Sequence, residues 1–106
     1  MFVHGGVSTP NRLLEKLKPI FSELKNIEMI HLHTEGPAVY SEDSFADKIR
    51  VNSLFVGANL RGKEDEERFD YLPCFLSEIP SLFRKGFLPI DIALIQVSPP
   101  DEKGWC

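Results

Sequence analysis

The stretch Asp91-Ile92-Ala93-Leu94-Ile95-Gln96-Val97-Ser98-Pro99-Pro100-Asp101 decides the fold. An apolar run ends abruptly in polar and proline-locked residues, the pattern of a buried strand that delivers a loop to a site. Its first half, Asp91 to Ile95, has the unbroken apolar character of a strand covered on both faces by helices. Such strands build parallel sheets, in which ligands gather at the carboxyl ends.

At the other end of the chain, Met1-Phe2-Val3-His4 reads as the tail of a strand, followed by Gly5-Gly6 and Val7-Ser8-Thr9-Pro10. Ser8 or Thr9 is placed to cap a helix and Pro10 suits its first turn, while Leu13, Leu14, Leu17, Ile20, Phe21 and Leu24 recur at helical spacing. Pro19 falls inside that pattern, where a missing donor costs roughly 3 kcal/mol, so a kink or break is expected near Lys18. Ile27 to His33 reads as a second strand with Ile30 and Leu32 on one side and His31 and His33 on a more exposed one. Thr34-Glu35-Gly36-Pro37 breaks it. Ala38 to Tyr40 reads as a brief extension, and Ser41, Glu42 and Asp43 start a helical turn around Phe45.

Leu54-Phe55-Val56-Gly57 reads as a third strand, and the charged run from Arg61 to Asp70 as a solvated loop or exposed turn. Leu76, Ile79, Leu82 and Phe83 mark a short amphipathic helix interrupted at Pro80, with Gly86 as its stop. The order β-α-β-loop-β-α-β predicts an α/β domain with a parallel sheet and helices on its faces.

The chain has 106 residues, enough for one domain with a modest core. With 42% hydrophobic and 26% charged residues it is an ordinary globular composition. A formal charge of −4 and no basic cluster argue against nucleic-acid binding. Cys74 and Cys106 lack zinc spacing, and their use fits a reducing compartment. No apolar stretch approaches a membrane span, and no leader pattern opens the sequence.

Three polar clusters follow predicted strands and would meet at one sheet edge. Gly5 to Pro10 leads into a helix N-terminus, where free amides and the dipole suit a carboxylate or phosphate; the same residues also make an economical βα turn, and no Walker or GxGxxG pattern is complete. Asn59 and Arg61 offer amide and guanidinium donors. Gln96 to Asp101 supplies Gln96 and Ser98, though Ser98 and Asp101 also suit a turn stiffened by Pro99 and Pro100. His31 and His33 share a face but lack further metal ligands, and Cys74 reads as a small core residue. Glu35 reads as a solvated carboxylate more readily than as a catalytic one.

The chain resembles the N-terminal part of the acetyl-CoA hydrolase/transferase family, which includes acetate, succinate and 4-hydroxybutyrate CoA-transferases. The stretches that carry the resemblance, in order, are Phe2 to Pro10, Thr34-Glu35-Gly36, Phe55 to Arg61, Asp70 to Pro73, Leu76 to Phe83 and Asp91 to Asp101. The resemblance implies a parallel-sheet, CoA-transferase-like α/β domain, incomplete at both ends, that faces a second, catalytic C-terminal domain. It implies acyl-CoA and small carboxylates as partners, coenzyme A as substrate with no permanently bound cofactor, a possible homo-oligomer, and a cytoplasmic or mitochondrial setting.

In that family a glutamate of the second domain attacks the acyl-CoA carbonyl, and the covalent intermediate passes CoA to an acid. No glutamate here matches that nucleophile; Glu35 and Glu78 stand in other motifs. The resemblance therefore implies a supporting role in the substrate or CoA pocket for Gly5, Gly6, Ser8, Thr9, Asn59, Arg61, Gln96 and Ser98. A chain inactive without the second domain is one reading. A free-standing binding or regulatory module that pairs with a full-length relative is the other.

Overall fold

The structure, a computed structural model, describes residues 1–63 and 66–106. Glu64 and Asp65, part of the predicted charged excursion, lie outside the described residues. Five parallel strands form one sheet in the order β4-β3-β2-β1-β5: β1 Phe2–Val3, β2 Ile27–His31, β3 Ile49–Ser53, β4 Phe69–Tyr71 and β5 Ala93–Leu94. The expected parallel α/β architecture is what the chain adopts.

β1 puts Val3 on one face and Phe2 on the other, as the period of a strand requires. The first face carries the main core. Helix α1, Asn11–Glu23, buries Leu14 and Phe21 against Val3, Met29, Val51 and Leu94. Two single turns of 3-10 helix, Val39–Ser41 and Asp43–Phe45, complete this layer with Val39, Tyr40 and Phe45. The second face carries α2, Ile79–Arg84, which with Leu88 and Cys74 lays Ile79, Leu82 and Phe83 over Phe2, Ile30 and Leu54. Beyond α2 that face is polar and exposed: Arg50 pairs with Asp70 at 2.5 Å, and Asn52 donates to Glu28.

Several elements differ from the sequence reading. The third strand is Ile49–Ser53, not Leu54-Phe55-Val56-Gly57, which forms the loop leaving it. Ile49, Val51 and Ser53 alternate inward, and the cross-strand partners of Arg50 and Asn52 allow a half-polar segment to pair. Phe69–Tyr71 is a fourth strand inside what reads as a charged loop. Helix α1 runs through Pro19 as one element, because Leu14 and Phe21 on either side of it pack into the same core. Pro19 itself is exposed, so the carbonyl it leaves unpaired lies on the solvent side. Pro80 stands in the first turn of α2 rather than interrupting it, and Gly86, at φ +74°, ends it as expected.

β5 is an edge strand. Only Leu94 of the predicted buried segment is enclosed, and Ile92, Ala93 and Ile95 are exposed.

Arg68 anchors the approach to β4. Its guanidinium, almost fully enclosed, donates to the carbonyls of Ser41 at 2.9 Å and Glu42 at 3.2 Å and lies over the Phe69 ring. The Ser41 carbonyl also accepts from Lys63 and the Glu42 carbonyl from the Phe45 N–H, so Arg68 adds a second, charged donor to each.

Candidate functional site

β5 lies on one side of β1 and the chain's other strands on the other, so the direction of winding reverses between β1 and β5. In open α/β sheets that reversal opens a crevice at the carboxyl ends. The loops flanking it are Gly5 to Pro10 and Gln96 to Asp101.

The first loop is locked to the loop after β2. Gly6 donates its N–H to the His33 carbonyl at 3.0 Å and bridges to Thr34 in parallel register. A Cβ on Gly5 would stand 2.5 Å from the His33 carbonyl oxygen, a distance no other residue tolerates without moving backbone. Gly6 has φ +60°, in the left-handed region. The doublet is thus required twice, once for contact and once for conformation.

Thr9 is not the helix cap the sequence indicated. Its hydroxyl donates to the Gly6 carbonyl at 2.7 Å and accepts from the Glu35 N–H at 3.0 Å, while Pro10 takes the cap position without a side-chain bond. Ser8 is half-buried in the turn before it, with no side-chain hydrogen bond among the described residues. Helix α1 begins here, and its first amides have no helical acceptor, so the positive end of its dipole faces this edge.

The third cluster joins through Asn59. Its Nδ2 donates to Thr34 Oγ1 and to the Gly36 carbonyl, both at 3.1 Å, and Thr34 Oγ1 shares a buried hydrogen bond of 2.7 Å with the Tyr40 hydroxyl. Asn59 Oδ1 is enclosed without a hydrogen-bond partner among the described residues. Gly5, Gly6, Thr9 and Asn59 are therefore brought together through Thr34 and Glu35. Arg61, Gln96 and Ser98 are exposed, and none of the three enters the network, although Gln96 leaves β5 at the same edge.

Thr34, Tyr40 and His4 were not singled out as site residues from sequence. A parallel between Val3-His4-Gly5-Gly6 and Leu32-His33-Thr34-Glu35-Gly36, each a strand end followed by histidine and glycine, was the available signal. A cavity of about 340 Å³ opens beside this edge under α2, lined by Phe2, His4, Gly5, His33, Leu54 and Phe83. A larger groove of about 560 Å³ lies at the opposite edge, between the amino ends of β2 and β3, with Glu28, Lys48, Arg50 and Glu67 in its walls. Its mixed charge and its position away from the carboxyl ends argue against it as the ligand site.

His31 is fully buried, and its ring centroid lies 5.6 Å from that of Tyr40. Burial lowers its pKa to about 4, and nearby His33 acts in the same direction. Burial also pushes the Tyr40 hydroxyl well above its ordinary value. Both groups are neutral near pH 7 and keep charge out of the floor beneath the loops. Among the described residues no cluster of His, Cys, Asp or Glu is placed to hold a metal ion.

The sequence profile of the acetyl-CoA hydrolase/transferase N-terminal domain matches residues 1–106. The chain belongs to the acetyl-CoA hydrolase/transferase family. Among its curated relatives is a succinyl-CoA:acetate/propanoyl-CoA:succinate CoA transferase of Fasciola hepatica, 45% identical over a match covering 100% of this chain and 22% of the relative. The 4-hydroxybutyrate coenzyme A transferase of Clostridium kluyveri is 39% identical, over 100% of this chain and 24% of its own length. A butyryl-CoA:acetate CoA-transferase of Anaerostipes caccae is 35% identical over 93% of this chain and 22% of its own. The chain thus spans less than a quarter of these acetyl-CoA hydrolase/transferase relatives. Among the described residues no helix is long and apolar enough to cross a membrane.

Proposed function

We propose that this chain forms the N-terminal wall of the acyl-transfer cleft of a CoA transferase, which moves CoA between an acyl-CoA and a small carboxylic acid such as acetate or succinate. The observation that carries the reading is the network of Gly6, Thr9, Thr34, Glu35 and Asn59, which fixes three strand-end loops beside a winding reversal and the N-terminus of α1. Ser8 and the Arg12 and Leu13 amides of α1 are the donors offered to a substrate carboxylate, and Gly5, Gly6, Thr9 and Asn59 hold them in place. Arg61, Gln96 and Ser98, exposed at or near the same edge, face the CoA side of the cleft.

The attacking glutamate belongs to the C-terminal catalytic domain, so residues 1–106 alone do not exchange CoA. Coenzyme A enters as a substrate, and no permanently bound cofactor takes part. The assembled enzyme works in the cytoplasm or mitochondrion, as a homo-oligomer.

A chimera tests this reading: residues 1–106 replace the matching segment of the Fasciola hepatica relative, and CoA transfer from succinyl-CoA to acetate is measured. The chimera is expected to transfer CoA and the isolated chain to be silent. A folded but inactive chimera, or enzyme-like exchange by the isolated chain, overturns it.

A further inference from the structure

His33 is held from three sides at the carboxyl end of the sheet. Its carbonyl accepts the Gly6 N–H at 3.0 Å, its Cβ lies 3.5 Å from where a Cβ on Gly57 would stand, and its ring meets the Phe55 ring edge-on at 5.7 Å. Nε2 lies 3.9 Å from where a Cβ on Gly6 would stand, so the imidazole borders the loop that carries Ser8. The ring is half-buried, and neither nitrogen has a hydrogen-bond partner among the described residues. An imidazole fixed by its surroundings but left without a partner is a donor available to a ligand. The cavity of about 340 Å³ under α2 is where that donor is presented. Phe2, Leu32, Leu54, Ile79 and Phe83 give it walls that suit methylene groups, and the only polar side chains in its described lining are His4 and His33. His4 is the more withdrawn of the two, with Nδ1 enclosed. Gly6 is shared between the cavity and the turn closed by the Thr9 N–H on the Gly6 carbonyl, which keeps Ser8 within about 7 Å of Gly6.

Resting on the reading above, we infer that His33 is a specificity-determining residue of the acyl-transfer cleft, selecting short acids that carry a second oxygen function at the far end of the chain. With one carboxylate on Ser8, such an acid lies across Gly6, sets its methylenes against the apolar wall and offers its distal carboxylate or hydroxyl oxygen to the His33 N–H. An aliphatic acid of the same length covers the imidazole without satisfying it. The stranded donor is what discriminates between them.

The chimera carrying residues 1–106 tests this with acetyl-CoA as donor and three four-carbon acceptors: succinate, 4-hydroxybutyrate and butyrate. The kcat/KM ratio of succinate or of 4-hydroxybutyrate over butyrate is expected to fall at least about tenfold in His33→Phe, which keeps a ring against Phe55 and removes the donor. His33→Gln, which restores a donor, should bring the ratio back to within about threefold of the parent. The acid whose ratio falls identifies the oxygen as carboxylate or hydroxyl. Ratios unmoved by H33F, or a fall that H33Q does not recover, overturn the inference, because a packing role alone lowers all three acids together. A second measurement needs no variant: the His33 imidazole resonances of the chimera are expected to shift with succinate or 4-hydroxybutyrate and to stay in place with butyrate. An equal response to butyrate, or none to any acid, overturns the inference as well. The selective shift in a chimera that transfers no CoA sinks the proposed function and leaves the His33 contact standing. CoA transfer with ratios that H33F does not move does the reverse.

Discussion

Thr9 Oγ1 accepts the backbone N–H of Glu35 at 3.0 Å, joining the loop after β1 to the loop after β2. The same oxygen donates to the Gly6 carbonyl, so one hydroxyl serves two backbone groups. Thr9→Val keeps the shape and removes both bonds, and is expected to cost about 2 kcal/mol. Thr9→Ser retains them and should lose under about 1 kcal/mol, the transfer cost of the buried methyl. Urea unfolding of the two variants compares the values; equal losses would show that packing, not the hydroxyl, matters.

Gly5 and Gly86 separate two uses of glycine. At Gly5 an added methyl meets the His33 carbonyl oxygen, and G5A is expected to cost about 3 kcal/mol through displaced backbone. At Gly86 no atom lies within 4 Å of the added carbon, but φ is +74°, so G86A should cost about 1 kcal/mol of conformational strain. Thermal denaturation ranks them, and a G86A loss as large as that of G5A would refute the steric argument.

His31 imposes a pH dependence. Its folded pKa of about 4 lies below the ordinary 6.5, so the unfolded chain takes up the proton first. Stability is full above pH 6.5 and falls as pH drops from about 6.5 toward 4, by on the order of 3 kcal/mol across the window. His31→Leu should flatten that limb of the stability curve. Measurement is by urea midpoints at half-unit pH steps, and an unchanged slope in the variant would assign the dependence elsewhere.

Arg68→Ala removes two charged hydrogen bonds but leaves the Ser41 carbonyl with Lys63 and the Glu42 carbonyl with the Phe45 N–H, and should cost about 2 kcal/mol. Little of this comes from Asp43, whose carboxylate is exposed. Asp43→Ala is therefore expected to change stability by less than about 0.5 kcal/mol, and guanidinium unfolding of the pair distinguishes carbonyl capping from ion pairing.

The βα beginning, β2 and the α2 segment were legible as elements from their apolar residues, although Leu13, Ile20, Leu24 and Leu76 are exposed and His31, read on the more exposed side of β2, is fully buried. β3 was displaced because Leu54-Phe55-Val56-Gly57 is more apolar than Ile49-Arg50-Val51-Asn52-Ser53. The true strand neutralises its polar residues against Glu28 and Asp70, partners distant in sequence. β4 was hidden for the same reason. β5 was found, but it lies at the sheet edge and only Leu94 of its apolar run is enclosed. At the site, glycines and polar loop residues could be named from sequence, whereas the joining roles of Thr34 and Tyr40 depend on a contact that only the folded loops create.

β1 pairs with β2 on one side and with Ala93 and Leu94 on the other, so Phe2 and Val3 are held between a near segment and one far along the sequence. During synthesis Phe2 and Val3 must wait with one flank open until Leu94 has cleared the ribosome. This late closure makes the β1–β5 pairing a long-range contact that forms slowly in folding.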